Sequence, residues 1–349
     1  MGRYRVRLAN VHLMIKNAYI LQSFLKAGKE EYISGETLAK EHKISRVAIN
    51  GRIRKLEETG LHFEAAPRRG YRLQEDPAEL HTDLLQAHLL IKQPKAINPA
   101  SVHLLDAVDS TNLEVERRLG SGADAPLAVI AKSQTQGRGR MGRTWHSEHS
   151  GNLYLSIGFR PQVPGADLSS FSLWAGVRLA QALRQFSNLP VQVKWPNDLV
   201  VNGRKLAGIL CEAKLELDCI QTLVFGLGLN VNQKANTLPE DLRTRATSLY
   251  SLRGKPMPIH ELTVEVLKAV IDGFHACQKS ASGEKLQQEF NSVDALLNRP
   301  VTTENGPVET EGTACGIDKN GNLQLETSEG KKILIHAGDV SLRKSPIYK

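Results

Sequence analysis

The sequence predicts an α+β protein in three parts: an N-terminal winged helix-turn-helix over 1–75, a central mixed α/β body over 76–294, and a small C-terminal β-barrel over 295–349. Three observations predict it. Serine-capped helical spacings and one alternating hairpin fill the first part. Strand-like and helix-like runs then alternate through the middle. Past Asn298-Arg299-Pro300, short strands are separated by turns at Asn305-Gly306, Asn320-Gly321 and Gly330, the texture of a small barrel.

Composition narrows the class. The chain has 349 residues, 41% hydrophobic and 23% charged, which suits a soluble globular protein of two or three domains. Its net charge of +8 is unevenly placed: residues 1–75 hold 15 Lys/Arg against 8 Asp/Glu, and the rest is nearly neutral. A basic module on a neutral body suggests that the module meets a polyanion. Cys211, Cys219, Cys277 and Cys315 form no CxxC pair and no zinc-finger spacing, so they read as reduced, buried thiols. No apolar run is long enough to cross a membrane. Arg3, Arg5 and Arg7 are followed by no cleavage-site pattern. The protein therefore reads as cytoplasmic.

In the basic module, Ile15 to Lys26 carries helical spacing (Ala18, Leu21, Leu25) and stops at Gly28. Ser34 can cap a second helix to Glu41, and Ser45 a third running to about Thr59. On the third, Ile49, Ile53 and Leu56 form one buried face, while Arg46, Asn50, Arg52 and Arg54 point elsewhere. Two short helices around a tight turn make a helix-turn-helix, whose second helix enters the DNA major groove. Leu61-Phe63-Ala65 and Tyr71-Leu73 alternate around Pro67-Arg68-Arg69-Gly70, a wing with a basic tip. The competing reading is a protein-contact module with solvated charges; the charge asymmetry favours DNA, with salt-dependent affinity.

In the body, a Pro- and Ala-containing stretch from Asp76 leads to Val102. Thr111, three residues before Glu114, can form a capping box. Leu127 to Ala131 is a buried strand, and Gln134 emerges from it just before the most distinctive stretch, Gly137-Arg138-Gly139-Arg140-Met141-Gly142-Arg143-Thr144-Trp145. Glycines let a backbone approach an anion, arginines supply forks for phosphate oxygens, and tryptophan offers an apolar wall. The three glycines spell GxGxxG, but no helix follows and no acidic residue lies in Ile157 to Gln162, which excludes a dinucleotide fingerprint. A P-loop is excluded because arginine stands at the lysine position and no apolar helix follows. Leu153, Leu155, Ile157 and Phe159 alternate as a half-buried strand, and Leu173, Val177 and Ala180 mark a helix. Asn202-Gly203 is a two-residue hairpin turn joining Asp198–Val201 to a strand from Arg204 to Glu212. Lys205 then stands on a strand beside Leu206 and Ala207, with Asn197-Asp198 across the hairpin; a solvated surface lysine is the plain alternative. Gly226-Leu227-Gly228 suits a strand running against another backbone. Leu262, Val266, Val270 and Phe274 form a late helix.

Four motifs stand in order: Asp109-Ser110-Thr111-Asn112, the Gly137–Trp145 loop, Lys194-Trp195-Pro196-Asn197-Asp198 with Arg204 to Leu210, and Gly226-Leu227-Gly228-Leu229-Asn230-Val231-Asn232. The set resembles the biotin protein ligases. With the first 75 residues included, the likeness spans nearly the whole chain and points to the bifunctional type, ligase and biotin-operon repressor. The resemblance implies a biotin/lipoate-ligase-like central domain and an SH3-like C-terminal domain. It implies that Ser110, Thr111, Asn112, Gln134, Gly137, Arg138, Arg140, Trp145, Lys205, Gly208 and Gly226 bind biotin. Arg140, Arg143, Asn197, Gly228, Asn230 and Arg343 would serve ATP and the adenylate, with Ala246-Thr247-Ser248-Leu249 on the nucleotide side. Lys205, Arg140, Arg138 and Asp198 would carry catalysis. Biotin's carboxylate would attack the α-phosphorus of ATP, the positive groups offsetting the repulsion of two anions. Mg²⁺ would be held mainly by phosphates and water, assisted at most by Asn197 and Asp198. A lysine of a biotin carboxyl carrier protein would then take biotin from biotinyl-5′-AMP, the glycine loop shielding that adenylate from water. The adenylate would also be corepressor, promoting a homodimer that reads operator DNA through Arg46, Asn50, Arg52, Arg54, Arg68 and Arg69. Three alternatives stay open: a ligand-sensing regulator without catalysis, a lipoyl or octanoyl transferase, and a ligase whose DNA module has lost regulation.

Overall fold

The computed structural model describes residues 17–74, 76–92, 97–279, 283–305, 308–336 and 338–342. The first helix, α1, covers 17–27, followed by α2 (Gly35–His42) and α3 (Arg46–Glu58). Both expected caps are present: Ser34 Oγ accepts from Thr37 N at 3.0 Å and Ser45 Oγ from Ala48 N at 3.1 Å. Lys43 at φ 53° ends α2 and turns the chain into α3. Ile49 and Ile53 pack with Ile20, Phe24 and Leu38, and Leu56 with Ala18 and Leu21. Strands β1 (Phe63–Ala66) and β2 (Gly70–Leu73) form the antiparallel wing.

A helix, α4 (Thr82–Lys92), occupies part of the Pro- and Ala-containing stretch to which the sequence reading gave no element. It shows no single apolar stripe because it is buried on two sides. Leu84 and Ala87 close the core beneath α1 and α3, while Leu85 and Leu89 enter the core of the central body. It is the physical joint between the basic module and the rest.

The central sheet runs in the order β3-β4-β5-β10-β9-β8-β7, with β6 (Val163–Pro164) paired to β10. Strands β3 (Val102–Val108) and β4 (Leu127–Gln134) are parallel, joined through α5 (Thr111–Gly120). Antiparallel pairing joins β5 (Leu153–Phe159), β10 (Cys219–Leu229), β9 (Arg204–Glu216), β8 (Asp198–Val201) and β7 (Gln192–Lys194). The half-buried reading of β5 is corrected: all seven residues are buried. Helix α5 covers one face at Val115 and Leu119, and α6 (Phe171–Ser187) with α8 (Ile259–Lys279) covers the other. Between β8 and β9, Asn202 (φ 50°) and Gly203 (φ 75°) make the left-handed turn expected of Asn-Gly. Short helices α7 (Leu249–Arg253) and α9 (Glu284–Asn291) complete the body.

At the C-terminus, β11 (Pro300–Asn305), β12 (Val308–Ile317), β13 (Leu323–Glu326), β14 (Lys332–Ile335) and β15 (Asp339–Leu342) form an antiparallel sheet ordered β14-β13-β12-β11-β15. Among the described residues no pairing joins β14 to β15, so a five-stranded sheet stands where a closed barrel was expected. Val301, Ala314 and Leu325 share the body's core, and Trp195 Nε1 donates to Gly321 O at 3.0 Å.

Candidate active site

Strand alternation builds the floor of the site. Along β10, Phe225, Leu227 and Leu229 enter the core, so Gly226 and Gly228 face the other way. They sit opposite Leu210 and Gly208 of β9. A Cβ on Gly226 would fall onto the Asn112 amide, and one on Gly228 inside the Trp145 indole. The glycines therefore admit side chains, not the neighbouring backbone that the sequence alone suggested. Above this floor lies a cleft of about 140 Å³.

One wall is the start of α5. Ser110, Thr111 and Asn112 are all buried. The capping box is not formed. Ser110 is the N-cap, and Glu114 pairs with Arg117 and Arg118. Thr111 instead donates twice to Gln134 Oε1, from its N at 2.8 Å and its Oγ1 at 3.1 Å. Gln134 Nε2 donates to Ser147 Oγ at 2.9 Å, which sets the orientation of the amide. Ser156 Oγ lies 2.7 Å from Thr111 Oγ1 and 2.6 Å from Asn112 Oδ1. Beside this wall, bonding to Arg117 holds the Asp109 carboxyl down to about 2.

The opposite wall is the glycine loop, a tight turn closed on itself. Gly139 N donates to Arg143 O (2.7 Å) and Trp145 N to Gly137 O (2.9 Å). Arg138 Nη2 donates to Glu212 Oε1 at 2.7 Å, and Arg140 Nη1 to Asn197 Oδ1 at 3.1 Å. Lys205 Nζ lies 2.8 Å from Asp198 Oδ1 and 5.3 Å from the centre of the Trp145 ring. Of the two residues expected across the hairpin, Asp198 thus meets Lys205, whereas Asn197 turns to Arg140 and donates to Ile209 O.

Ser110, Thr111, Asn112, Gln134, Arg138, Arg140, Arg143 and Trp145 all line the cleft, as do Asn197, Asp198, Lys205, Gly208, Gly226 and Gly228. Gly137 is buried at the base of the loop, outside the lining. Asn230 is also set apart: its amide donates to Thr247 O at 3.0 Å and pins the 246–249 segment, whose Thr247 N donates to Lys205 O. Arg343 lies outside the described residues. Sequence reasoning missed Glu212, Ser147 and Ser156. Glu212 was reachable by counting in twos from Gly208 along β9, and Ser156 as the small hydroxyl set between the apolar residues Leu155 and Ile157 of β5.

On the basic module, Arg46, Arg54, Arg68 and Arg69 are exposed, Arg69 with its guanidinium 4.0 Å over the Tyr32 ring. Asn50 Oδ1 accepts from Tyr71 Oη at 2.9 Å, which ties α3 to the wing. Arg52 donates to Asn17 Oδ1 and so faces α1. Val47, overlooked in a reading built on charge, is 80% exposed on the first turn of α3.

These features have close counterparts in known proteins. The profile of the Biotin/lipoate A/B protein ligase family matches residues 104–230. Profiles of an HTH domain and of the Biotin protein ligase C terminal domain match 18–72 and 296–343. The chain is 31% identical over 326 residues to the bifunctional ligase/repressor BirA of Bacillus subtilis (strain 168), across 93% of this chain and 97% of that one. It is 32% identical over 315 residues to its counterpart in Escherichia coli (strain K12), across 90% and 94%. Among solved structures, the biotin protein ligase from Aquifex aeolicus in complex with biotin and ATP is 31% identical with a TM-score of 0.60, covering 70% of this chain and 99% of that one. The chain belongs to the biotin protein ligase family, in its bifunctional ligase/repressor form.

Proposed function

We propose that this chain activates biotin with ATP, transfers it to a carrier-protein lysine, and represses transcription when its adenylate accumulates. It is a biotin–protein ligase and a DNA-binding repressor. The observation that carries the catalytic half is the convergence of Arg138, Arg140, Arg143 and Lys205 on one glycine-floored cleft under Trp145. A carboxylate and a triphosphate meet there only if fixed positive groups offset their repulsion. In this reading Ser110, Thr111 and Gln134 hold the ureido ring, Arg138 and Lys205 the biotin carboxylate, Lys205 also the α-phosphate, and Arg140, Arg143 and Asn197 the nucleotide phosphates. Asn230 acts through the 246–249 segment, and Arg343 is assigned to the nucleotide phosphates by its match to the family's motif.

The carboxylate oxygen forms a bond to the α-phosphorus as the bond to pyrophosphate breaks. The carrier's lysine amine then attacks the acyl carbon, losing its proton as AMP departs. Asp198 orients Lys205 across the hairpin. No cluster of three carboxylate, thiol or imidazole groups able to hold a metal exists among the described residues. We assign Mg²⁺ mainly to the phosphates and water, with Asn197 and Asp198 of the cleft lining able to assist. When bound, it neutralises charge on the departing pyrophosphate.

The division of labour follows the three parts: 1–75 for operator DNA, 76–294 for catalysis, and 295–349 as an SH3-like C-terminal domain. The carrier is the biotin carboxyl carrier protein of acetyl-CoA carboxylase, and the adenylate favours a homodimer whose paired wings read two half-sites. We read the setting as cytoplasmic: no disulfide joins the described cysteines, of which Cys277 is buried and the other three are half-buried. No described helix is long and apolar enough to cross a membrane. Biotin transfer to a carrier domain, measured beside DNA binding with and without biotin and ATP, tests both halves. Transfer together with ligand-enhanced DNA binding is expected. Absence of transfer overturns the ligase half, and ligand-independent DNA binding the repressor half.

A further inference from the structure

The structure assigns Glu212 a positioning role: its carboxylate bridges the two walls of the cleft and holds Arg138 and Asn112 in their working orientations. This rests on the reading of the cleft as the biotin site. Glu212 stands on β9, with Val224 of β10 as its register partner, so its backbone is fixed by the sheet. One carboxylate oxygen accepts from Arg138 Nη2 and the other from Asn112 Nδ2, each at 2.7 Å. The first donor belongs to the glycine loop and the second to the start of α5, so a single side chain ties the loop and the helix to the sheet.

The amide it holds has no freedom left. Asn112 is buried, its Oδ1 lies against the Ser156 hydroxyl, and Gly226 below it leaves no room for a Cβ. With Oδ1 committed to the hydroxyl, Nδ2 must find an acceptor on the other side, and Glu212 is there. On the loop side, one of five guanidinium donors is spent on Glu212, and the others remain for the cleft that Arg138 lines. A guanidinium on a glycine-rich loop would otherwise pay in conformational freedom when it meets an anion. Anchoring it beforehand removes that cost from binding. The Arg138–Glu212 pair is partly exposed, the arginine side chain at 42%, so screening keeps its contribution to folding small. Its effect is on where Arg138 sits.

The test compares Glu212→Gln and Glu212→Ala with wild type in biotin-dependent exchange of labelled pyrophosphate into ATP. Gln keeps an acceptor for Asn112 and drops the charge toward Arg138; Ala removes both. The expected result is a KM for biotin raised about three- to tenfold in Glu212→Gln and further in Glu212→Ala, with KM for ATP unchanged. Trypsin should cut the Arg138–Arg143 loop faster in both variants than in wild type when biotin is absent. Combined with Arg138→Lys, the Glu212→Gln effect should shrink, since both act on one contact. Wild-type biotin KM and loop cleavage in both variants would overturn the assignment. An equal loss across both substrates with a lowered melting temperature would also overturn it, because that is a fold effect. Absence of exchange in the wild-type chain would instead refute the ligase reading itself.

Discussion

Replacing Lys205 with alanine removes one ammonium from the cleft and leaves the strand that carries it. The Lys205 backbone keeps both its bonds, from its N to Arg245 O at 2.7 Å and to its O from Thr247 N at 2.8 Å, so β9 and the 245–247 segment stay aligned. The side-chain partner, Asp198 at 2.8 Å, is 22% exposed and Lys205 itself 36%, so water screens the pair. Losing such a contact costs the fold about 0–1 kcal/mol. Catalysis should respond very differently. A fixed charge acting on the developing charge of phosphoryl transfer is worth roughly 10²–10³ in rate, about 2.7–4 kcal/mol. The assay is biotin-dependent pyrophosphate exchange beside thermal unfolding of the same preparation. The expected outcome is exchange slowed by about two to three orders of magnitude with a nearly unchanged melting temperature. Exchange close to wild type would remove Lys205 from the chemistry. Lost exchange with a large drop in melting temperature would make it a structural lysine.

Three further outcomes follow from named contacts. Gly228→Ala drives a methyl into the Trp145 indole, so the ring must leave its seat at about 1–3 kcal/mol of overpacking; thermal melts and biotinyl-5′-AMP dissociation should show lower stability and faster release, and unchanged release would contradict the packing. Arg68→Ala should weaken DNA binding across sequences and reduce the slope of log affinity against log salt by about one, read by fluorescence anisotropy, while biotin transfer stays intact. An unchanged slope would take Arg68 off the DNA. The third outcome concerns pH. Burial pushes the His81 imidazole down to about 4, so between its ordinary value near 6.5 and pH 4 the unfolded chain binds the proton and the folded chain refuses it. The stability His81 contributes is full above about pH 6.5 and lost as pH falls toward 4. Asp294, pushed up to about 6 by burial, acts in the opposite sense, so the measurement is the difference between wild type and His81→Gln in melts from pH 4 to 7.5. Parallel curves would contradict the burial of His81.

What could be read from residues alone was local. Ser34 and Ser45 announce α2 and α3 because a helix start needs an acceptor for its free N–H groups, and Asn202-Gly203 announces the hairpin because two left-handed residues are hard to make otherwise. The glycine loop was legible because three arginines and three glycines in nine residues have few other uses. Features set by tertiary contact were not. Helix α4 is apolar on two sides because it lies between two cores, which erases the stripe that marks a helix. Thr111 fits a capping box by spacing, yet its hydroxyl and N–H go to Gln134, 23 residues on, and nothing local reports that partner. Glu212 reads as an ordinary charge on a strand until Arg138 and Asn112, 74 and 100 residues away in sequence, are brought against it. Strand β5 alternates large apolar side chains with Tyr154, Ser156 and Gly158, which looks half-buried until α5 is placed over Ser156 and Gly158.

The central claim is that Arg138, Arg140 and Lys205 form the charged frame in which biotin's carboxylate and the α-phosphate of ATP are joined. A crystal structure of this chain with biotinyl-5′-AMP tests it most directly. The account predicts the bicyclic ring against Thr111 and Gln134, with the acyl phosphate within hydrogen-bond reach of Lys205 and of both guanidinium groups. Those three side chains turned to solvent, with the adenylate bound elsewhere or not at all, would contradict it.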